Sequence, residues 1–128
     1  MTQRILVDTD VLIDYFRGID VACDCIEAHL DLVSLSVISV AEIRAGIRGK
    51  GEGDALEQFL SVIPIFDVTR VIAEKAGDWV NQFGKSHAVE IPDALIAATA
   101  TVHDLQLKTL NIKHYPMFKG LVPAYKKR

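Results

Sequence analysis

Apolar residues follow two rhythms along this chain. Short, nearly unbroken runs, Ile5-Leu6-Val7, Leu32-Val33-Ser34-Leu35, Ile65-Phe66-Asp67-Val68, Gln106-Leu107-Lys108-Thr109-Leu110 and Leu121-Val122, read as strands. Between them, apolar positions recur at helical spacing. Thr9 or Asp10 caps a first helix with Val11, Leu12, Tyr15 and Phe16 on one stripe. After Gly18 a second helix spans Ile19 to Leu30. Ser36 or Ser39 starts a third, which Gly49 and Gly51 end, and a fourth runs from about Asp54 to Val62, stopped by Pro64. Thr69 caps a long amphipathic helix to Phe83, ending at Gly84. Lys85 to Glu90 is a polar loop, and Ile91-Pro92-Asp93 opens a last helix through about Val102, with proline at home in the first turn. Asn111 to Met117 is a turn region.

Strands alternating with helices predict an α/β fold, a parallel sheet covered on both faces in three layers, α/β/α. With 128 residues, half of them hydrophobic, the chain is expected to be one domain, 1–128, able to bury about 68% of its unfolded surface. No disulfide is needed. Cys23 and Cys25 stand two apart on a helix and point in different directions, so two reduced thiols in a cytosolic protein are expected. Asp8 cuts the first apolar run too early for a secretory leader, and Ala94 to Val102 is far short of the roughly 20 residues a membrane span needs.

In such a sheet the crevice lies at the carboxyl ends of the strands, where Asp8 follows Ile5-Leu6-Val7. Two further acids fall near helix starts. Glu42 completes a capping-box spacing with Ser39, but if Ser36 is the cap it lies in the second turn, flanked by Val40, Ala41 and Ile43. Asp93 opens Ala94-Leu95-Ile96-Ala97-Ala98-Thr99-Ala100, a helix apolar all round and so buried between layers. Two carboxylates about 4 Å apart repel by roughly 4 kcal/mol at an effective dielectric near 20, so a cluster of such acids calls for a cation. Carboxylates without paired His or Cys favour Mg2+ or Mn2+, and such a site suits phosphodiester hydrolysis by an activated water.

The ordered patterns Val7-Asp8-Thr9-Asp10-Val11-Leu12-Ile13-Asp14, Ser36-x-x-Ser39-x-x-Glu42, Ile91-Pro92-Asp93-Ala94-x-Ile96-Ala97-Ala98 and Thr109-x-Asn111-x-Lys113-His114-Tyr115 span nearly the whole chain. Together they resemble the PIN-domain ribonucleases of the VapC toxin family of type II toxin–antitoxin systems. The resemblance implies a PIN-like parallel sheet of four or five strands between helices, a homodimer, Mg2+- or Mn2+-dependent cleavage of RNA leaving 5′-phosphate and 3′-hydroxyl ends, and neutralisation by a VapB-type antitoxin. It places Asp8, Glu42 and Asp93 on the family's acidic ligands. Thr9, Asp10, Ser36 and Ser39 would surround those carboxylates, the hydroxyls orienting them. Arg44, Arg48, Lys113 and His114 would meet the RNA backbone, basic positions that a net charge of −3 does not advertise.

The chain departs from the family's pattern twice. Asp10 stands where members often have Asn, and the fourth acid of the last motif is replaced by Asn111 and His114. Asn111 can offer a carbonyl oxygen to an ion or to its water. The loss favours one metal over two and leaves open a PIN fold that binds RNA without cutting it. A haloacid-dehalogenase-type phosphatase, suggested by Asp8-Thr9-Asp10, wants Thr or Val where Leu12 stands and lacks a convincing lysine segment. A receiver domain lacks a well-placed phosphoacceptor.

Overall fold

The computed structural model describes residues 3–126; Met1, Thr2, Lys127 and Arg128 lie outside it. Among the described residues the elements are β1 (Ile5–Val7), α1 (Thr9–Phe16), α2 (Asp20–Glu27), β2 (Val33–Ser36), α3 (Val37–Ala45), α4 (Lys50–Leu60), β3 (Ile65–Phe66), α5 (Arg70–His87), α6 (Ile91–Val102) and β4 (Gln106–Lys108), with short 3-10 turns at Leu30–Leu32 and Ile112–His114. All pairings are parallel, in the order β3-β2-β1-β4. The PIN-like α/β architecture anticipated from the motifs is present, with four strands.

Alternation along the central strands divides the core. Ile5, Val7, Val33 and Leu35 face one way, onto Val11 and Leu12 of α1, Ile26 of α2 and Phe59 of α4. Leu6 faces the other way and meets Ile96, Ala97 and Ala100 of α6, with Leu107 and Tyr115. A different side of α6, Ala94 and Ala98, packs on Ile72 and Ala76 of α5. Alanine explains the arrangement: α6 has neighbours on two sides, and small side chains let both approach closely. Consequently Asp93, one residue before this alanine run, is fixed where the buried helix emerges.

The boundaries differ from the sequence expectations for identifiable reasons. Asp8, not Thr9 or Asp10, caps α1: its backbone is still extended (φ −72°, ψ 158°), and its carboxylate accepts the Thr9 N–H. Ser36, not Ser39, caps α3 by accepting from Ile38 N, which leaves Glu42 in the second turn. That helix stops at Gly46. Gly49 takes φ +86° as the N-cap of α4, so the glycines expected to end one helix instead begin the next, and Glu52 reaches back to the Arg48 N–H at 2.8 Å. Burial of Leu56 and Phe59 outweighs the poor propensity of Gly51 and Gly53. Helix α5 continues through Gly84 and ends only at left-handed Ala88 (φ +53°), so the polar loop is confined to residues 88–90.

Leu121-Val122 does not form the expected fifth strand. The segment runs beside β4, sharing a 220 Å³ groove with it, but Val122 is exposed and Pro123 has no N–H for a ladder. One backbone bond, Ala124 N to Thr109 O at 2.8 Å, joins the tail to the strand's end.

Candidate functional site

The strand order sets where a site can form. The chain leaves β1 toward β2 on one side, while β4 returns on the other, so the direction of winding reverses between β1 and β4. The loops leaving these two strands diverge there and open a crevice. Asp8 follows β1, and Thr109 follows β4; α3, which carries Glu42, packs against α1 and α6, and α6 brings in Asp93.

Asp8 is buried, with 6% of its surface exposed, and its carboxylate is fixed by three donors: Thr9 N on Oδ1, and Thr109 Oγ1 and Tyr115 OH on Oδ2, each at 2.7 Å. A carboxylate has about four acceptor positions, so Oδ1, which accepts only Thr9 N among the described residues, keeps one for a further ligand. Thr9 Oγ1 lies 2.7 Å from Glu42 Oε1 and 2.9 Å from Ser39 Oγ. With one proton to give, and an ionised carboxylate able only to accept, Thr9 donates to Glu42 and receives from Ser39. Thr9 and Ser39 thus form a hydroxyl relay onto Glu42, whereas Ser36 spends its hydroxyl on the α3 cap.

Asp10 has a different task. Its Oδ1 accepts from Val11 N, and its Oδ2 accepts from Leu110 N at 3.0 Å and Asn111 N at 3.1 Å, so it clasps the turn after β4. Asn111 therefore joins the cluster through its backbone.

Burial pushes the Asp10 carboxyl up from 3.8 to about 6, the charge of Asp8 adds to the shift, and the N–H groups of Leu110, Val11 and Asn111 oppose it. Asp93 is also raised, first by burial and then by Asp8 and Glu42, with His114 and the Glu90 N–H opposing. Asp8 and Glu42 are thus both close enough for their charges to act on Asp93. His114 Nδ1 lies 3.5 Å from Asp93 Oδ2; among the described residues no Lys or Arg forms an ion pair with any of the four acids.

Such an all-oxygen, under-neutralised donor set suits a hard divalent cation. It is not a closed cage: among the described residues no three Asp, Glu, His or Cys side chains are gathered tightly enough to hold one ion. The expected three-carboxylate cluster is an open arrangement, which fits a cation that keeps several waters and takes only one or two carboxylates directly. Burial of the Asp8 carboxylate is offset by its three donors.

Of the basic residues, His114 reaches the acids, while Arg44 pairs with Glu57 of α4 in a solvated contact and Arg48 and Lys113 are exposed. Thr109 and Tyr115, to which the motif pattern alone assigns no task, both serve Asp8. Their signals are readable: Thr109 occupies after β4 the place Asp8 occupies after β1, and a tyrosine in an apolar setting needs a partner for its hydroxyl.

A parallel sheet with acids gathered at its switch point defines a class of α/β proteins built around an anionic crevice. The PIN domain profile matches residues 5–115. Ribonuclease VapC10 of Mycobacterium tuberculosis is 43% identical over 124 residues, covering 94% of this chain and 92% of that protein. Ribonuclease VapC19 of the same organism is 37% identical over 125 residues, covering 94% and 98%. A toxin–antitoxin complex from Klebsiella pneumoniae contains a chain that superposes with a TM-score of 0.83 at 30% identity, covering 96% of this chain and 99% of that one. The chain belongs to the PIN-domain family, in its VapC branch.

Proposed function

We propose that this protein is the toxin of a type II toxin–antitoxin module and a Mg2+- or Mn2+-dependent endoribonuclease acting on single-stranded or loop RNA such as tRNA. The observation that carries the reading is the convergence of acids at the strand tips: the charges of Asp8 and Glu42 both reach Asp93, whose carboxyl burial already raises, and no Lys or Arg among the described residues pairs with any of the three. Relatives named ribonucleases, similar along nearly the full length, support it.

Asp8, Glu42 and Asp93 would hold the cation, one or two of them directly and the rest through its waters, with Asn111 a further oxygen donor. Bound there, the ion supplies Lewis-acid chemistry, acidifying water and offsetting charge that develops on the phosphodiester. Thr109 and Tyr115 keep Asp8 aimed. Thr9, backed by Ser39, does the same for Glu42. His114, beside Asp93, meets the scissile phosphate, and Arg44, Arg48 and Lys113 grip the flanking backbone. Loop RNA is preferred because its backbone can adopt in-line geometry.

The protein would act in the cytosol as a homodimer and be silenced by a VapB-type antitoxin. No helix among the described residues is long and apolar enough to cross a membrane. Incubation of the purified protein with RNA tests the reading: EDTA-sensitive cuts bearing 5′-phosphate and 3′-hydroxyl ends are expected. RNA that survives intact in Mg2+ and Mn2+ would favour the non-cutting RNA-binding alternative.

A further inference from the structure

Helix α1 carries two acids one turn apart on the same face, and each holds a different part of the chain's C-terminal region. Asp10 takes the N–H groups of Leu110 and Asn111. Asp14, only 3% exposed, accepts the Tyr125 hydroxyl at 2.6 Å. Between them the tail closes a loop, because Ala124 N donates to Thr109 O at 2.8 Å. Leu110, Ala124 and Tyr125 pack together against the core face that includes Val11 and Leu12. The Thr109–Asn111 turn is therefore gripped from two sides, by Asp10 on its amides and by the tail on its carbonyl. That same turn delivers the Thr109 hydroxyl to Asp8 at 2.7 Å.

We infer that Tyr125 is a positioning residue: its bond to Asp14 straps residues 123–125 against α1, and the strap holds the turn that orients Asp8. The tail does not behave as a strand, since Pro123 prevents ladder pairing and Val122 is exposed, yet Ala124 and Tyr125 are partly buried and hydrogen-bonded. A tail that only capped the core would need the apolar ring alone. Placing a phenol at 2.6 Å from a buried carboxylate on the helix that begins at Asp8 instead fixes the tail's register against the site.

Only the link to cation binding rests on the nuclease reading; the mechanical link does not. In the full-length protein, amide hydrogen exchange at Leu110 and Asn111 reports the turn directly. Tyr125→Phe, which keeps the ring, should speed their exchange about tenfold, the scale of one lost hydrogen bond to a charged group, while amides of α5 and α6 stay unchanged. Asp14→Asn, which keeps an acceptor for the phenol, should retain most of the protection. A Mn2+ titration of the same proteins should show several-fold weaker binding for Tyr125→Phe than for Asp14→Asn. Unchanged exchange at Leu110 and Asn111, or acceleration spread evenly over the protein, overturns the strap. If the turn loosens but the unsubstituted protein takes up no Mn2+, the strap stands and the nuclease reading fails.

Discussion

The Tyr115 hydroxyl donates to Asp8 Oδ2 at 2.7 Å, joining a fully buried ring to the acid at the tip of the central strand. Burial, together with the charge of Asp8, holds the phenol well above its ordinary pKa, so it remains a donor at neutral pH. The bond matters because Asp8 sits at the switch point with little solvent to stabilise its charge. Tyr115→Phe removes one of its three donors and should lower unfolding free energy by about 1.5–3 kcal/mol. Urea denaturation checks this; a midpoint within error of the unsubstituted protein would show that Thr9 N and Thr109 suffice.

Asp10 gives the site a pH signature. Its folded pKa, about 6, lies above the ordinary 3.8, so the folded state binds that proton more tightly than the unfolded state. Its contribution to stability is therefore largest below the lower value and is lost as pH rises through the upper one; Asp93, also raised, acts in the same direction. Because Asp10 is partly exposed, the loss should be about 1–2 kcal/mol, less than the full shift implies. The difference in unfolding free energy between the protein and Asp10→Asn, followed in EDTA from acid to neutral pH, should move against the unsubstituted protein. A difference independent of pH would contradict the assignment.

RNA contact by the exposed bases has its own readout. Lys113→Ala and Arg48→Ala should weaken RNA binding to all sequences similarly and reduce the slope of log affinity against log salt by about 0.7 each, the single-strand value per phosphate contact. Arg44→Ala should do so less, since its guanidinium already faces Glu57. Equal salt slopes for the unsubstituted protein and the Lys113 and Arg48 variants would remove these residues from the interface.

Much of this architecture is legible in the residues because local pattern and global fold agree. Ile5-Leu6-Val7 followed by an acid, and Pro92 and Asp93 ahead of an alanine run, mark their elements with little ambiguity, and helix α6 begins and ends where the pattern puts it. Glycine misled at two places, because tertiary burial of Leu56 and Phe59 draws Gly51 and Gly53 into α4 and α5 passes through Gly84. The division of labour among the hydroxyls was not legible. Ser36 and Ser39 are equivalent on paper, and only the packing of α3 against α1 assigns one to a cap and the other to Thr9. Likewise Asp10 reads as a helix cap or a neighbour of the acids until the turn after β4, about a hundred residues away, supplies its amides.

The central claim is that Asp8, Glu42 and Asp93 act together on one divalent ion. Calorimetric titration of Mn2+ at neutral pH into the unsubstituted protein, Asp8→Asn and Asp93→Asn tests it most directly, with folding of each confirmed by circular dichroism. The account predicts a single binding event in the unsubstituted protein, weakened at least about tenfold by either substitution. Binding of equal affinity in all three proteins would contradict it.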